Sequence, residues 1–278
     1  MVAGAGAIKG PSSGLVEIYR NRDESWWART LFRTIFRIFL LLAWLAVWQA
    51  IPELNLVSRV TLPPPSEVVD NFIGVIDSSF MERFWVTTQE TFGGFGIGAG
   101  SALVVATLMT LFPFLRFLLT DYILALQALP KVLLIPVLLS AFGFGMQSII
   151  VLAALIVFFP VYVNTMVGMN TVGRDEVKLM QTLKANRFQR LYYMQIPTGM
   201  PTIFVGLKNG ITNALIAATI GEFLGSDNGL GNLIVLWSAS SRFADVFGVI
   251  IILTFMTIIL FYAMDLIGRK AAFWAPHN

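Results

Sequence analysis

The chain has a single histidine, His277, and no cysteine. A thiolate nucleophile, a disulfide or a thiolate metal site therefore has no residues to be built from, and one histidine is a poor supply for a histidine metal cluster or for Ser/His catalysis. No catalytic residue, no metal ligand and no resident cofactor is expected. What remains is charge in unusual places. Lys131 and Lys208 fall inside long apolar runs, where an ammonium group is costly to hold and often marks a path for solutes or ions. Asn209, Thr212 and Asn213 follow Lys208 and make a polar stripe at helical spacing. Facing a pore, that stripe would present cations and amides to an anionic solute. The opposing reading has Lys208 snorkelling along its stem to the nearby surface, and it weighs more. Lys131 follows Pro130, so a packing or hinge role stands beside solute contact. Glu222, near the end of the same run as Lys208, reads first as a solvated acid at a helix end, and otherwise as a gate residue or a ligand for an external partner.

These charges stand out because so little else is charged. Of 278 residues, 56% are hydrophobic and 13% charged, about half the charged share of a soluble domain. The apolar residues fall in runs near the length a helix needs to cross about 30 Å of hydrocarbon. Lipid gives the backbone no partners, so such runs are helical. Six spans are expected, at 31–51, 92–112, 117–141, 147–170, 200–221 and 246–267, giving an all-α integral membrane protein. The second span carries two GxxxG pairs, Gly94 with Gly98 and Gly96 with Gly100, a spacing that lets helix backbones approach. In the third, Pro130 and Pro136 favour kinks.

The connections orient the spans. With the N-terminus inside, Lys9, Arg20, Arg22, Arg29, Arg33, Arg37, Arg116, Arg174, Lys178, Lys184, Arg187, Arg190, Arg269 and Lys270 are cytoplasmic. The outer loops keep only Arg59, Arg83 and Arg242, as the positive-inside rule requires. Both termini are then cytoplasmic. No signal peptide is expected in residues 1–30. Val16, Ile18, Tyr19, Trp26 and Trp27 fit a short amphipathic segment at headgroup depth, and a disordered tail fits equally. The membrane-spanning body covers 31–270, and 271–278 is a tail. The first outer loop is acidic, with Glu53, Glu67, Asp70, Asp77, Glu82 and Glu90. Ser66 is placed to cap a surface helix after Pro63-Pro64-Pro65.

The segment 174–198 is too polar to span and too apolar for a free loop. Asp175 and Glu176 suit a helix start, and Val177, Met180 and Leu183 recur at helical spacing. Lys184-Ala185-Asn186 reads as a turn. A second short helix is expected from Arg187 to Gln195, ended by Pro197. Such an elbow offers a ridge for another protein's groove.

With these pieces in place, the chain resembles the permease subunits of binding-protein-dependent ABC importers with the methionine-importer-like core, and is most similar to the nitrate, sulfonate, taurine and bicarbonate branch. The resemblance runs from about Leu62 to Ile267. It is carried by Leu62-Pro63-Pro64-Pro65-Ser66-Glu67-Val68, Leu129-Pro130-Lys131-Val132, Phe142-Gly143-Phe144-Gly145, Thr182-Leu183-Lys184-Ala185-Asn186 with Gln195-Ile196-Pro197, and Gly221-Glu222-Phe223-Leu224-Gly225 with Gly229-Leu230-Gly231. The order and spacing of these pieces are more specific than any one of them.

The family's loop usually has Glu-Ala-Ala and, four residues later, Gly. Those positions here are Lys178, Leu179, Met180 and Lys184. The departure implies a partner groove altered to match, with Asn186 making the turn. The resemblance further implies a homodimer of permeases, two ATPase subunits that bind ATP and Mg, and an extracytoplasmic substrate-binding protein, all in a bacterial plasma membrane. Val177, Lys178, Met180, Leu183, Lys184, Ala185, Asn186, Arg187 and Arg190 would couple to the ATPase. The chain has no phosphate-binding Gly-x-x-x-x-Gly-Lys-Ser/Thr loop of its own and is not expected to be an enzyme or to bind nucleic acid. The alternative is a secondary carrier working without ATP, although no internal repeat supports it. A membrane enzyme or a scaffold is weaker still.

Overall fold

The computed structural model describes residues 12–274, with side chains from Leu31 onward except Phe72. His277 and the end of the tail lie outside the described residues. So do the side chains of Val16, Ile18, Tyr19, Trp26 and Trp27, on which the surface-segment reading rests. The chain divides into two units, Met1–Glu67 and Val68–Asn278.

In the first unit, α1 (Ser12–Glu53) runs as one helix into the apolar span Leu31–Glu53. The indole of Trp48 donates to Pro63 O at 3.1 Å. Ser66 does not cap the next helix. The helix α2 (Pro65–Val75) opens at Pro65, where the missing N–H does no harm. Ser66 instead exchanges hydrogen bonds with the Gln49 amide: its Oγ accepts at 3.0 Å and its N–H donates at 3.3 Å.

The second unit begins its long helices at α3 (Ser78–Leu111), where Asp77 accepts from Phe80 N–H at 2.8 Å. This start is well ahead of residue 92. Glu82 and Glu90, expected in the acidic outer loop, are therefore on a helix, and Glu90 is fully buried. Next comes α4 (Pro113–Ala128), a 3-10 turn (Lys131–Leu134) and α5 (Ile135–Phe142). The expected single kinked span at 117–141 is in fact broken, with its halves bent by 88°. Proline gives no N–H and drives the residue before it out of the helical region, and Leu129 is extended at φ −67°, ψ 133°. Then follow α6 (Met146–Asn170), α7 (Arg174–Thr182), α8 (Arg187–Arg190), a π turn (Leu191–Gln195), α9 (Ile196–Gly225), α10 (Leu230–Ala239) and α11 (Phe243–Ala271). Five described helices are long and apolar enough to cross a membrane, and the bent pair makes a sixth.

The core is α6 against α3 and α9, and small residues allow it. A Cβ on Gly98 would lie 2.5 Å from Ala154 O, and Gly94 is as tight against Ala153. Gly168 and Gly199 face each other with similar closeness between α6 and α9. Around them pack Ala99, Ala102, Ala106, Val157, Val161 and Ala214. Gly96 and Gly100 behave differently. Both are exposed, and nothing lies within 4 Å of a Cβ on either.

Candidate functional site

The elbow is rigidly built. The end of α7 is a Schellman turn: Ala185 N–H donates to Met180 O and Lys184 N–H to Gln181 O, both at 2.9 Å. Lys184 itself takes the left-handed conformation, at φ 52°. The turn therefore falls on Lys184 and not on Asn186. Asn186 has a different task. Its side chain accepts from Gln189 N–H while the Gln189 side chain accepts from Asn186 N–H, both at 2.8 Å, a reciprocal cap for α8. The chain after α8 does not stop at Pro197. It passes through the π turn, where Ile196 N–H reaches Leu191 O, straight into α9. Pro197 sits in the first turn of α9, where it is tolerated.

This geometry sorts the elbow residues. Leu183 is 66% exposed, and Leu179, Phe188, Tyr192 and Tyr193 are exposed to a similar degree. Val177, Met180, Ala185 and Arg190 are half-buried. Lys178 is exposed and pairs with Asp175 at 3.3 Å; Arg187 is exposed at the start of α8. Below them Leu191 joins Leu111, Met169 and Ile203 in a buried cluster, anchoring the elbow to α3, α6 and α9. The ridge thus includes Leu179, Phe188, Tyr192 and Tyr193, which periodicity from Val177 alone passes over. Their signal was large apolar residues clustered in a stretch too polar to span.

The charged candidates do not converge. Lys208 Nζ is 2.6 Å from Asp265 on α11, whose other oxygen takes Arg269 Nε at 2.7 Å, and it lies 5.2 Å from the Phe261 ring centre. Its charge is matched within the helix bundle. Asp265, an acid within an apolar span, was the available clue to that partner. Asn209 is exposed, Asn213 half-buried, and Thr212 turns its hydroxyl back to Asn209 O at 3.0 Å. Lys131 opens the turn after the break, donates to Gln127 O at 2.9 Å and sits 4.3 Å from the Phe159 ring centre.

Glu222 is not a solvated acid. It is wholly buried near the C-terminal end of α9, where it accepts from Thr87 Oγ1 at 2.6 Å and from Gly231 N–H at 2.5 Å. Thr87 Oγ1 in turn accepts from Leu230 N–H at 2.9 Å. One carboxylate thereby joins α3, α9 and the start of α10. Lys208 lies 14 residues away on the same helix, about 21 Å along its axis.

Comparison with known proteins fits this architecture. Residues 91–271 match the family described as binding-protein-dependent transport system inner membrane component, and the chain belongs to that family. It is 29% identical over 231 residues to the riboflavin transport system permease protein RibX of Chloroflexus aurantiacus, covering 83% of this chain and 86% of that one. It is 28% identical, also over 231 residues, to the putative aliphatic sulfonates transport permease protein SsuC of Bacillus subtilis, covering 83% and 84%. Among solved structures, an inward-facing MetNI methionine ABC transporter aligns with a TM-score of 0.61 at 16% identity, covering 69% of this chain and 96% of that one. The fold is that of an ABC importer permease, and the protein is a multi-pass membrane protein.

Proposed function

We propose that this chain forms the translocation path of an ATP-driven importer and is driven through its elbow by a separate ATPase. The observation that carries the reading is the exposed apolar ridge of Leu179, Leu183, Phe188, Tyr192 and Tyr193, held on a doubly capped turn and anchored beneath by Leu191. Docked into a groove, this ridge would move α6 and α9 as one piece. Val177, Met180 and Ala185 support it from below, and Lys178, Lys184, Arg187 and Arg190 supply its charge.

The working assembly is a pair of these permeases, two ATPase subunits holding ATP and Mg, and an extracytoplasmic binding protein that delivers the solute. The chain itself is non-catalytic. It lies in a bacterial plasma membrane with both termini in the cytoplasm. A small anion is our proposal for the cargo. Its support is the Asn209, Thr212 and Asn213 stripe together with the sulfonate-named relative. Lys208 is already matched by Asp265 and adds nothing to it. Lys131 and Glu222 act as hinge and outer-end residues. The test is uptake of radiolabelled sulfonates into proteoliposomes holding the full assembly. Uptake that needs ATP and the binding protein supports the reading. Uptake by the permease alone, driven by an ion gradient, would establish a secondary carrier instead.

A further inference from the structure

We propose that Glu90 and Glu222 bind one proton between them, and that this protonated pair clamps the corner between α9 and α10 onto α3. Both side chains are fully enclosed, at 0% exposure. Glu222 has its donors, Thr87 and Gly231. Glu90 lies one helical turn after Thr87, on the face of α3 that meets Glu222, yet among the described residues neither of its oxygens meets a donor. Two carboxylates in one enclosed corner repel each other, and one without a donor carries its whole desolvation penalty. A proton on Glu90 removes both costs at once, because a protonated carboxyl becomes a donor and Glu222 is its acceptor.

The surrounding charges leave room for one proton. Arg83, half-buried on α3 one turn before Thr87, is the nearest cation along that helix, and it donates to Asn232 of α10 at 3.0 Å. It balances one of the two negative charges. Helices α6 and α10 carry no charged residue, and α9 adds only Lys208, several turns away. On α3, Glu82 is exposed. A metal ion is a poor occupant: hard cations take six or more oxygens, and no third acid or histidine joins the pair among the described residues.

The consequence is mechanical. Gly229, at φ 100°, turns the chain so that Leu230 and Gly231 present their N–H groups to Thr87 and Glu222. Losing the proton puts a second negative charge into that corner and works against the closed arrangement.

Infrared spectra of the purified protein in lipid test this. At neutral pH the wild type should show a protonated-carboxyl carbonyl band that shifts in D2O and disappears in Glu90→Gln. Thermal melting gives a second readout. The folded chain holds a proton that an unfolded glutamate releases, so the wild-type Tm should fall as pH rises from neutral to alkaline. Glu90→Gln should flatten that slope, and Glu90→Leu replaces it if the amide variant does not fold. A wild-type spectrum without the band overturns the proposal by itself. So does a band that survives in the variant, a pH-independent wild-type Tm, or a Tm raised by sodium ions in place of protons.

Discussion

Lys184 holds a backbone conformation that suits glycine, since a side chain in the left-handed region costs about 1–2 kcal/mol. Lys184→Gly should therefore raise stability by up to about 1 kcal/mol, glycine's own entropy offsetting part of the gain; thermal melting in detergent checks it. Two residues on, Asn186→Ala removes the cap of α8 and should lower stability by about 1 kcal/mol. The sequence marks a turn at residues 184–186 without saying which residue makes it. Asparagine is the better left-handed residue by type, but here its side chain is committed to Gln189 N–H. Such competition between two uses of one residue is settled by the surrounding backbone. Glu222 shows the same limit. Its type and position fit a wet helix end, and only the approach of α3 and α10 encloses it.

Among the elements, the spans were legible because runs of about twenty apolar residues have few alternatives in lipid. The proline at the break was legible too; the 88° bend was not, because proline removes a hydrogen bond and leaves the new direction to packing. The two GxxxG pairs look alike on paper and differ in the fold. Gly98→Leu drives a side chain into Ala154 and should lose about 1–3 kcal/mol or fail to fold, whereas Gly100→Leu should melt like the wild type as a protomer. Lys208 and Asp265 are 57 residues apart, so no local pattern pairs them. Lys208→Met should lower the Tm, and Asp265→Asn added to it should restore part of the loss. A double variant that falls by the sum of the single losses would mean the pair does not act as a unit.

At the level of the whole molecule, the positive-inside reading makes the elbow cytoplasmic and the start of α3 external. The chain has no cysteine, so single replacements report orientation cleanly. Arg187→Cys should react with a membrane-impermeant maleimide only in inside-out vesicles, and Ser79→Cys only in right-side-out ones. The family resemblance was visible in the order of the proline-rich start, the Leu-Pro-Lys stretch, the elbow and the Glu222 loop. The proposed ATPase would dock where the elbow surface stays apolar, and Leu183 lies on that ridge. The most direct measurement is the amount of ATPase subunit retained when the permease is co-expressed with it and purified at equal membrane levels. The wild type should retain the ATPase and Leu183→Asp should lose it while inserting normally. Full retention by Leu183→Asp would contradict the claim that this ridge is where the motor grips.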